Sequence, residues 1–307
     1  MSELIDPIST LQQITEAVPE ECFENITLVG SLAAGVYFHK ELSNIGVRTK
    51  DADCLITPRV EAVTAGKMIA ETLLESGWQM REEGKHGTPG DRETPEGKLP
   101  AVRLYPPGRK EWFIELLTVP ENTPGAGRSW LRVETEYGHF GLPSFGYISL
   151  SSLAPIRFHS GITIARPEMM ALANMLEHPV IAPDLMSTAI EGRFIKRSNK
   201  DLGRVLALAL LAEKHQEDSL LSWPEIWTMA CTELKLQDHL RSREYQPGDG
   251  IRTLLSPRNA PDFDEAYHSC VYGLLQALSP RETDLRTAGE RLIVDAVEPF
   301  EEYIQNS

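Results

Sequence analysis

The stretches LVGSLAAGVYF (residues 28–38) and VRTKDADCLI (residues 47–56) decide how this chain folds. The first is an apolar run, which predicts a strand that ends at Gly30 and passes into a helix. The second contains DADCLIT, which predicts another strand. Because successive side chains of a strand point to opposite faces, Asp51 and Asp53 share one face. Two anions side by side repel unless a cation lies between them, and a divalent metal is the usual cation.

The pair Gly30-Ser31 lies at the predicted change from strand to helix, with Ser31 as the N-cap. Backbone N–H groups and the positive end of the helix dipole face outward at such a point. This arrangement is suited to holding phosphate. Taken by itself, the pair equally fits an ordinary helix start after a strand.

A third carboxylate, Glu115, lies in the middle of the apolar run WFIELLTVP. A buried glutamate is costly unless it is paired with a cation or ligates a metal. One alternative for Glu115 is an ion pair with Arg103 on the neighbouring predicted strand. For Asp51 and Asp53, the alternative is a pair of solvated acids on an edge strand.

The rest of the chain predicts an α+β protein with residues 1–165 as an α/β domain and residues 166–307 as a helical domain. From Pro167 onward the pattern is that of helices separated by capping or breaking residues. The N-terminal part is expected to hold the following elements: a helix after Pro58 that ends at Gly77, a polar loop or mobile insertion at 84–98, two paired strands AVRLYP and WFIELLTVP joined by PGRKE, and a further strand in GYISLSSLAPIRF.

The ordered set of a GS turn, a DAD strand and a further strand acid resembles the nucleotidyltransferase fold of the DNA polymerase β-like superfamily. The resemblance implies a nucleotidyltransferase-type mixed sheet with flanking helices. It also implies that Gly30 and Ser31 hold the triphosphate. Asp51, Asp53 and Glu115 would then bind Mg²⁺ (or Mn²⁺).

The phrase VRTKDADCLI, with Arg48 just before the acids, looks closer to the AbiEii-like branch, which includes nucleotidyltransferase toxins of type IV toxin–antitoxin systems. In the C-terminal half, GRFIKRSNKDLGRVLALALL resembles the helical motif of that branch. The resemblance implies that Arg48, Lys196 and Lys200 contact the nucleotide. It further implies that Lys200 and Asp201 belong to the catalytic set.

A basic stripe, defined here as Arg193, Arg197, Lys200 and Arg204, falls at i, i+4, i+7 and i+11, on one face of a predicted helix. A single positive stripe on an acidic molecule can attract a polyanionic substrate. Asp201 could pair with Arg197 or act near the attacking group. The simpler interpretation is a solvated helix face.

Charge and composition limit the class of protein. The chain has 307 residues, a net charge of −15, and Lys+Arg against Asp+Glu counts of 14 and 22 in residues 1–150 and 16 and 23 in residues 151–307. Such even acidity argues against broad non-specific nucleic-acid binding. Four scattered cysteines predict buried thiols in a reducing compartment, and no histidine pattern predicts zinc. With no apolar segment or secretory signal expected, the sequence predicts a cytoplasmic protein without membrane contact.

These observations predict a Mg²⁺-dependent enzyme that transfers a nucleoside monophosphate from an NTP to a hydroxyl on RNA (possibly tRNA), protein or a small molecule. The resemblance favours a toxin or defence role, with a cognate antitoxin or another protein as partner. The alternative is a degenerate nucleotidyltransferase fold that serves as a nucleotide-binding or protein-interaction module. Asn174 motivates this alternative, because the branch pattern has a lysine in that helix.

Overall fold

The structure is a computed structural model. It describes residues 4–42, 46–81, 88–122, 128–158, 161–177, 183–190 and 195–307. The chain divides into two compact units. The first unit comprises residues 1–37 and 46–166, and the second comprises residues 38–45 and 167–307. The predicted combination of a mixed sheet in the N-terminal part with helices in the C-terminal part is confirmed.

The first unit is built on a seven-stranded mixed sheet with the strand order β3-β4-β5-β2-β1-β9-β8 and a separate hairpin of β6 and β7. Its strands are β1 (Ile26–Val29), β2 (Asp51–Ile56), β3 (Gln79–Met80), β4 (Arg103–Tyr105), β5 (Phe113–Thr118), β6 (Ser129–Thr135), β7 (Gly138–Ser144), β8 (Ile156–Arg157) and β9 (Thr163–Ile164). Strand β2 runs parallel to β5 and antiparallel to β1, whereas β4 runs antiparallel to β5. The central strands are buried, so the acids of β2 lie within the sheet and not at its edge.

Three helices belong to the first unit: α1 (Pro7–Ala17), α2 (Gly30–Tyr37) and α3 (Arg59–Glu75). Helix α2 begins at Gly30, one residue before the predicted start, so Ser31 lies in the first turn and is not the N-cap. Helix α3 follows Pro58 and ends just before Gly77, whose φ is +84°, as predicted.

The buried face of α3 differs from the predicted one. Val60 is 81% exposed, although the apolar pattern assigned it to the core. Small residues form the buried face instead, and Gly66 lies where an added Cβ would be 3.1 Å from Leu142 of β7. Close approach of helix and hairpin therefore selects small side chains and leaves larger ones outside.

The hairpin of β6 and β7 was not predicted, and the strand expected in GYISLSSLAPIRF is largely wrong. That stretch forms a short 3-10 turn at Ile148–Ser152 and contributes only β8 to the sheet. The turn between β6 and β7 contains Gly138 at a φ of +114°. Single-sequence patterns describe such short, partly exposed strands poorly because their two faces differ little in polarity.

Within the predicted loop 84–98, residues 84–87 lie outside the described residues, and residues 88–98 pack on the hairpin. The Asp91 carboxylate accepts hydrogen bonds from the backbone N–H groups of Glu93 and Thr94. Arg132 of β6 donates to the carbonyl of Asp91 at 3.1 Å and to that of Thr94. These contacts tie this part of the loop to β6.

The second unit is helical. Its helices are α4 (Pro167–Met175), α5 (Pro183–Met186), α6 (Arg197–His215), α7 (Trp223–Glu233), α8 (Gln237–Arg241), α9 (Asp249–Leu255), α10 (Ala260–Val271), α11 (Glu282–Leu292) and α12 (Glu298–Asn306), with a π-helical segment at Ile293–Val297. The sequence between α5 and α6 predicted one continuous helix. The structure instead ends α5 at Met186 and starts α6 at Arg197, with a bridge between Ala189 and Lys196.

Helix α6 forms the core of the second unit and packs against α4, α10 and α11. Gly203 permits the approach of α10, since a Cβ there would lie 2.8 Å from the carbonyl oxygen of Ala266. Trp227 is fully buried and donates its indole N–H to the carbonyl of Glu168 at 2.8 Å. The prediction that Trp223 and Trp227 pack in the core is confirmed.

All four cysteines are buried free thiols, as expected. Burial raises the pKa of Cys231 and of Cys270 to about 12, so these thiols stay protonated at neutral pH. None of the helices in the described parts of the chain is both long and apolar enough to span a bilayer.

Candidate active site

The three predicted metal-binding acids lie on one face of two neighbouring strands. In the parallel pair of β2 and β5, Asp53 is directly opposite Glu115, and Asp51 is opposite Phe113. Side chains at opposite positions of paired strands point to the same side of the sheet. The sheet therefore brings Asp51, Asp53 and Glu115 together.

The Gly30 turn lies against the Asp53 carboxylate. Val29, the last residue of β1, is paired with Asp53, so α2 begins beside this acid. Gly30 has a φ of +75°, and a Cβ added to it would lie 2.7 Å from Asp53 Oδ2. Only glycine combines this backbone conformation with this approach, because any side chain would collide with the carboxylate. A helix N-terminus suited to phosphate is thus in contact with an acid suited to a metal.

Asp51 and Asp53 are half-buried, whereas Ala52 and Cys54 are fully buried on the other face of β2. Thr49 donates its hydroxyl hydrogen to Asp51 Oδ1 at 2.6 Å, which fixes the orientation of that carboxylate. Since β2 lies between β5 and β1, the alternative of solvated acids on an edge strand is wrong.

Glu115 makes the ion pair with Arg103 that the sequence left open. Arg103 of β4 is opposite Glu115, and the guanidinium donates to Glu115 Oε1 at 2.8 Å. Desolvation raises the pKa of Glu115, the Arg103 charge and hydrogen bond lower it, and the Asp51 charge raises it. The net pKa is above the ordinary range for glutamate because burial outweighs the arginine.

The donor set fits a divalent ion in part. Asp51 and Asp53 offer carboxylate oxygens on one face, and such oxygens are the donors that Mg²⁺ prefers. Glu115 is bound to Arg103 in this arrangement. Across the described residues, no three His, Cys, Asp or Glu side chains are grouped so as to hold a metal ion. Glu115 can join the two aspartates as a ligand only by leaving Arg103.

The remaining predicted nucleotide contacts are divided between the two units. Ser31 is half-buried in the first turn of α2, and Arg48 is half-buried just before β2, both in the first unit. Lys196, Lys200 and Asp201 belong to the second unit.

Lys196 has a structural role within the second unit. Its ammonium group contacts Asp262 of α10 at 2.6 Å, and its backbone N–H donates to Glu265. The hydrogen bond to Asp262 raises the pKa of Lys196. The start of α6 is thereby tied to α10.

Of the basic stripe, Arg197, Lys200 and Arg204 are half-buried on α6. Arg193 lies outside the described residues. Asp201 is half-buried one residue after Lys200. Their proposed contacts with a nucleotide remain predictions.

Sequence reasoning missed an aromatic and basic extension of the carboxylate face. Phe113 lies opposite Asp51, and Tyr105 and Arg81 lie on the strands beyond it. Alternation in AVRLYP places Arg103 and Tyr105 on one face, which was a usable signal. Arg81 carried no such signal, because its position depends on the pairing of β3 with β4.

Comparison with protein-family models, with curated proteins and with solved structures finds no match to this chain.

Replacing Gly30 by alanine should destabilise the protein more than the same change at Gly108. Both glycines have positive φ, but a Cβ at Gly108 would meet nothing within 4 Å. Gly108→Ala should therefore cost about 1–2 kcal/mol of backbone strain alone. Gly30→Ala should cost about 1–3 kcal/mol more, since the Cβ must displace Asp53. Urea denaturation of both variants measures the difference, and equal losses would contradict the contact.

Arg103→Met should lower the free energy of unfolding by about 3 kcal/mol at pH 8, because it leaves the Glu115 carboxylate buried without its cation. Loss of the arginine also raises the pKa of Glu115 further. A carboxyl whose folded pKa is raised is most stable below its unfolded pKa, and its contribution is lost as pH rises through the folded pKa. The destabilisation should therefore be smaller at pH 5 than at pH 8.

The matched control for Arg103→Met is Lys67→Met, which removes a half-exposed cation 3.8 Å from Glu71. That change should cost less than about 1 kcal/mol. A loss in Arg103→Met that does not vary with pH, or one equal to that of the control, would contradict a buried ion pair. Thermal or urea unfolding at several pH values gives all of these quantities.

Proposed function

We propose that this chain has a nucleotidyltransferase-type fold and transfers a nucleoside monophosphate from an NTP to a hydroxyl acceptor in the presence of Mg²⁺ or Mn²⁺. The acceptor oxygen forms a bond to the α-phosphorus, and the bond from this phosphorus to the bridging oxygen breaks. Pyrophosphate leaves, and the hydroxyl proton passes to a carboxylate of the site. This reaction needs a phosphate cradle next to metal-binding acids.

The contact between Gly30 and Asp53 carries the proposal. The start of α2 offers backbone N–H groups to an anion, and the position for a Cβ on Gly30 is 2.7 Å from Asp53 Oδ2. Placed directly against a carboxylate, a helix N-terminus would lose its attraction for phosphate unless a cation compensated the negative charge. A metal–triphosphate complex supplies both the anion and the cation.

In the proposed complex, Asp51 and Asp53 would hold the metal, and Glu115 would join them after leaving Arg103. The bound metal would neutralise the triphosphate and lower the pKa of the attacking hydroxyl. Thr49 keeps Asp51 oriented by its 2.6 Å hydrogen bond, so one ligand is already positioned. The substrates of this reaction are cytoplasmic metabolites, and we place the protein in that compartment.

The second candidate function is a nucleotide-binding or protein-interaction module that does not transfer. Two observations favour it. Glu115 is held by Arg103 at 2.8 Å, and Asn174 uses its side-chain amide to cap the carbonyl of Met170 within α4. In this case the nucleotide would bind without being consumed. The resemblance to toxin nucleotidyltransferases favours the enzyme, with an antitoxin as a protein partner.

Replacing Asp51 or Asp53 by asparagine should abolish transfer, with a loss of at least about 100-fold, since each variant removes a charged ligand while keeping its shape. The measurement is release of pyrophosphate and transfer of label from each α-labelled NTP, with Mg²⁺ or Mn²⁺ and with cell RNA and protein as acceptors. Glu75→Gln, an exposed acid at the end of α3, is the matched control and should keep full activity.

The two candidate functions give different results in this assay. Transfer that disappears in Asp51→Asn but persists in Glu75→Gln supports the enzyme. Metal-dependent NTP binding by calorimetry without any transfer supports the module. Transfer that persists in Asp51→Asn and Asp53→Asn would contradict the proposed role of both acids.

A further inference from the structure

Two arginines and two aromatic rings extend the carboxylate face toward the β3 edge of the sheet. The Arg81 guanidinium lies 4.8 Å from the centre of the Phe113 ring, and that of Arg103 lies 5.9 Å from it. The Tyr105 ring contacts Phe113 edge to face, with 5.6 Å between ring centres. Phe113 is buried beneath these half-buried side chains.

Strand pairing places the two arginines directly opposite one another. The backbone N–H of Arg81 donates to the carbonyl of Arg103 at 3.0 Å, continuing the pairing of β3 with β4. Like charges at opposite positions of paired strands are destabilising. Glu115 compensates part of this charge through Arg103. An anion that contacts both guanidiniums would turn the repulsion into binding, because guanidinium groups donate paired hydrogen bonds to phosphate oxygens.

The arginines and the Gly30 turn lie on opposite sides of the carboxylates. Across the sheet, the order runs from β3 and β4 with the arginines, through β5 and β2 with the acids, to β1 with the turn. Strands lie about 4.8 Å apart, so β4 is about 5 Å and β3 about 10 Å from β5. If the triphosphate lies at Gly30, the arginines lie on the side from which the acceptor must approach.

We infer that Arg81 and Arg103, supported by Phe113 and Tyr105, bind a phosphate group of the acceptor. This inference rests on the proposed function and names the acceptor class: a phosphorylated molecule, and not an unmodified protein side chain. The aromatic rings next to the arginines suit a planar base attached to that phosphate. The acceptor would thus be a nucleotide or the end of a nucleic acid.

The test is calorimetric binding in EDTA, where no metal contributes, with a nucleoside monophosphate and the corresponding nucleoside as probes. Wild-type protein should bind the monophosphate at least 10-fold more tightly than the nucleoside. Arg81→Gln should weaken monophosphate binding at least 10-fold, and Arg81→Lys should lie between the two because it keeps the charge but not the planar donor pair. Arg109→Gln, in the exposed turn between β4 and β5, is the control and should bind within twofold of wild type.

Other outcomes separate this inference from the proposed function. Unchanged monophosphate binding in Arg81→Gln, or no binding to wild type, overturns the phosphate site. Label transfer to an unphosphorylated protein side chain also overturns it while leaving the transferase intact. Monophosphate binding lost in Arg81→Gln, without NTP transfer by wild type, supports the phosphate site and counts against the transferase. A short RNA with a 5′-phosphate, compared with the monophosphate, distinguishes a nucleic-acid end from a free nucleotide.

Discussion

Repulsion among three carboxylates on one sheet face is the constraint on which the site depends. Two unit charges about 5 Å apart repel by roughly 3 kcal/mol at an effective dielectric constant near 20. Asp53 and Glu115 face each other across β2 and β5, and Asp51 raises the pKa of Glu115. The fold partly relieves the repulsion with Arg103 on Glu115 and Thr49 on Asp51. What remains is negative charge beside a helix N-terminus, a combination that favours a cation with its own anionic ligand.

This constraint also explains why particular residues stand where they do. Gly30 must lack a side chain, since a Cβ would meet Asp53. Arg103 must lie on β4, because only that strand places a side chain opposite Glu115 from the outer side. The pairing of β3 with β4 then brings Arg81 to the same face. Acids and arginines thus form one continuous charged surface, on which a phosphorylated acceptor and an NTP could meet.

The local parts of this site could be predicted from the sequence. Alternation placed Asp51 and Asp53 on one face, and the Gly30-Ser31 pair indicated the change from strand to helix. Parts that depend on pairing between distant strands could not be predicted, because single-sequence patterns do not encode register. Arg81 beside Phe113 and the hairpin of β6 and β7 belong to this class. The predicted helix across residues 184–215 was wrong, because its apolar spacing did not reveal the break between Met186 and Arg197.

The most direct test of the account is a crystal structure with Mn²⁺ and a non-hydrolysable NTP analogue, read by the anomalous signal of the manganese. The account predicts manganese bound by Asp51 and Asp53, with the triphosphate at the start of α2 and Glu115 turned away from Arg103. Manganese and nucleotide bound elsewhere on the protein, with Asp51 and Asp53 contacting neither, would contradict it.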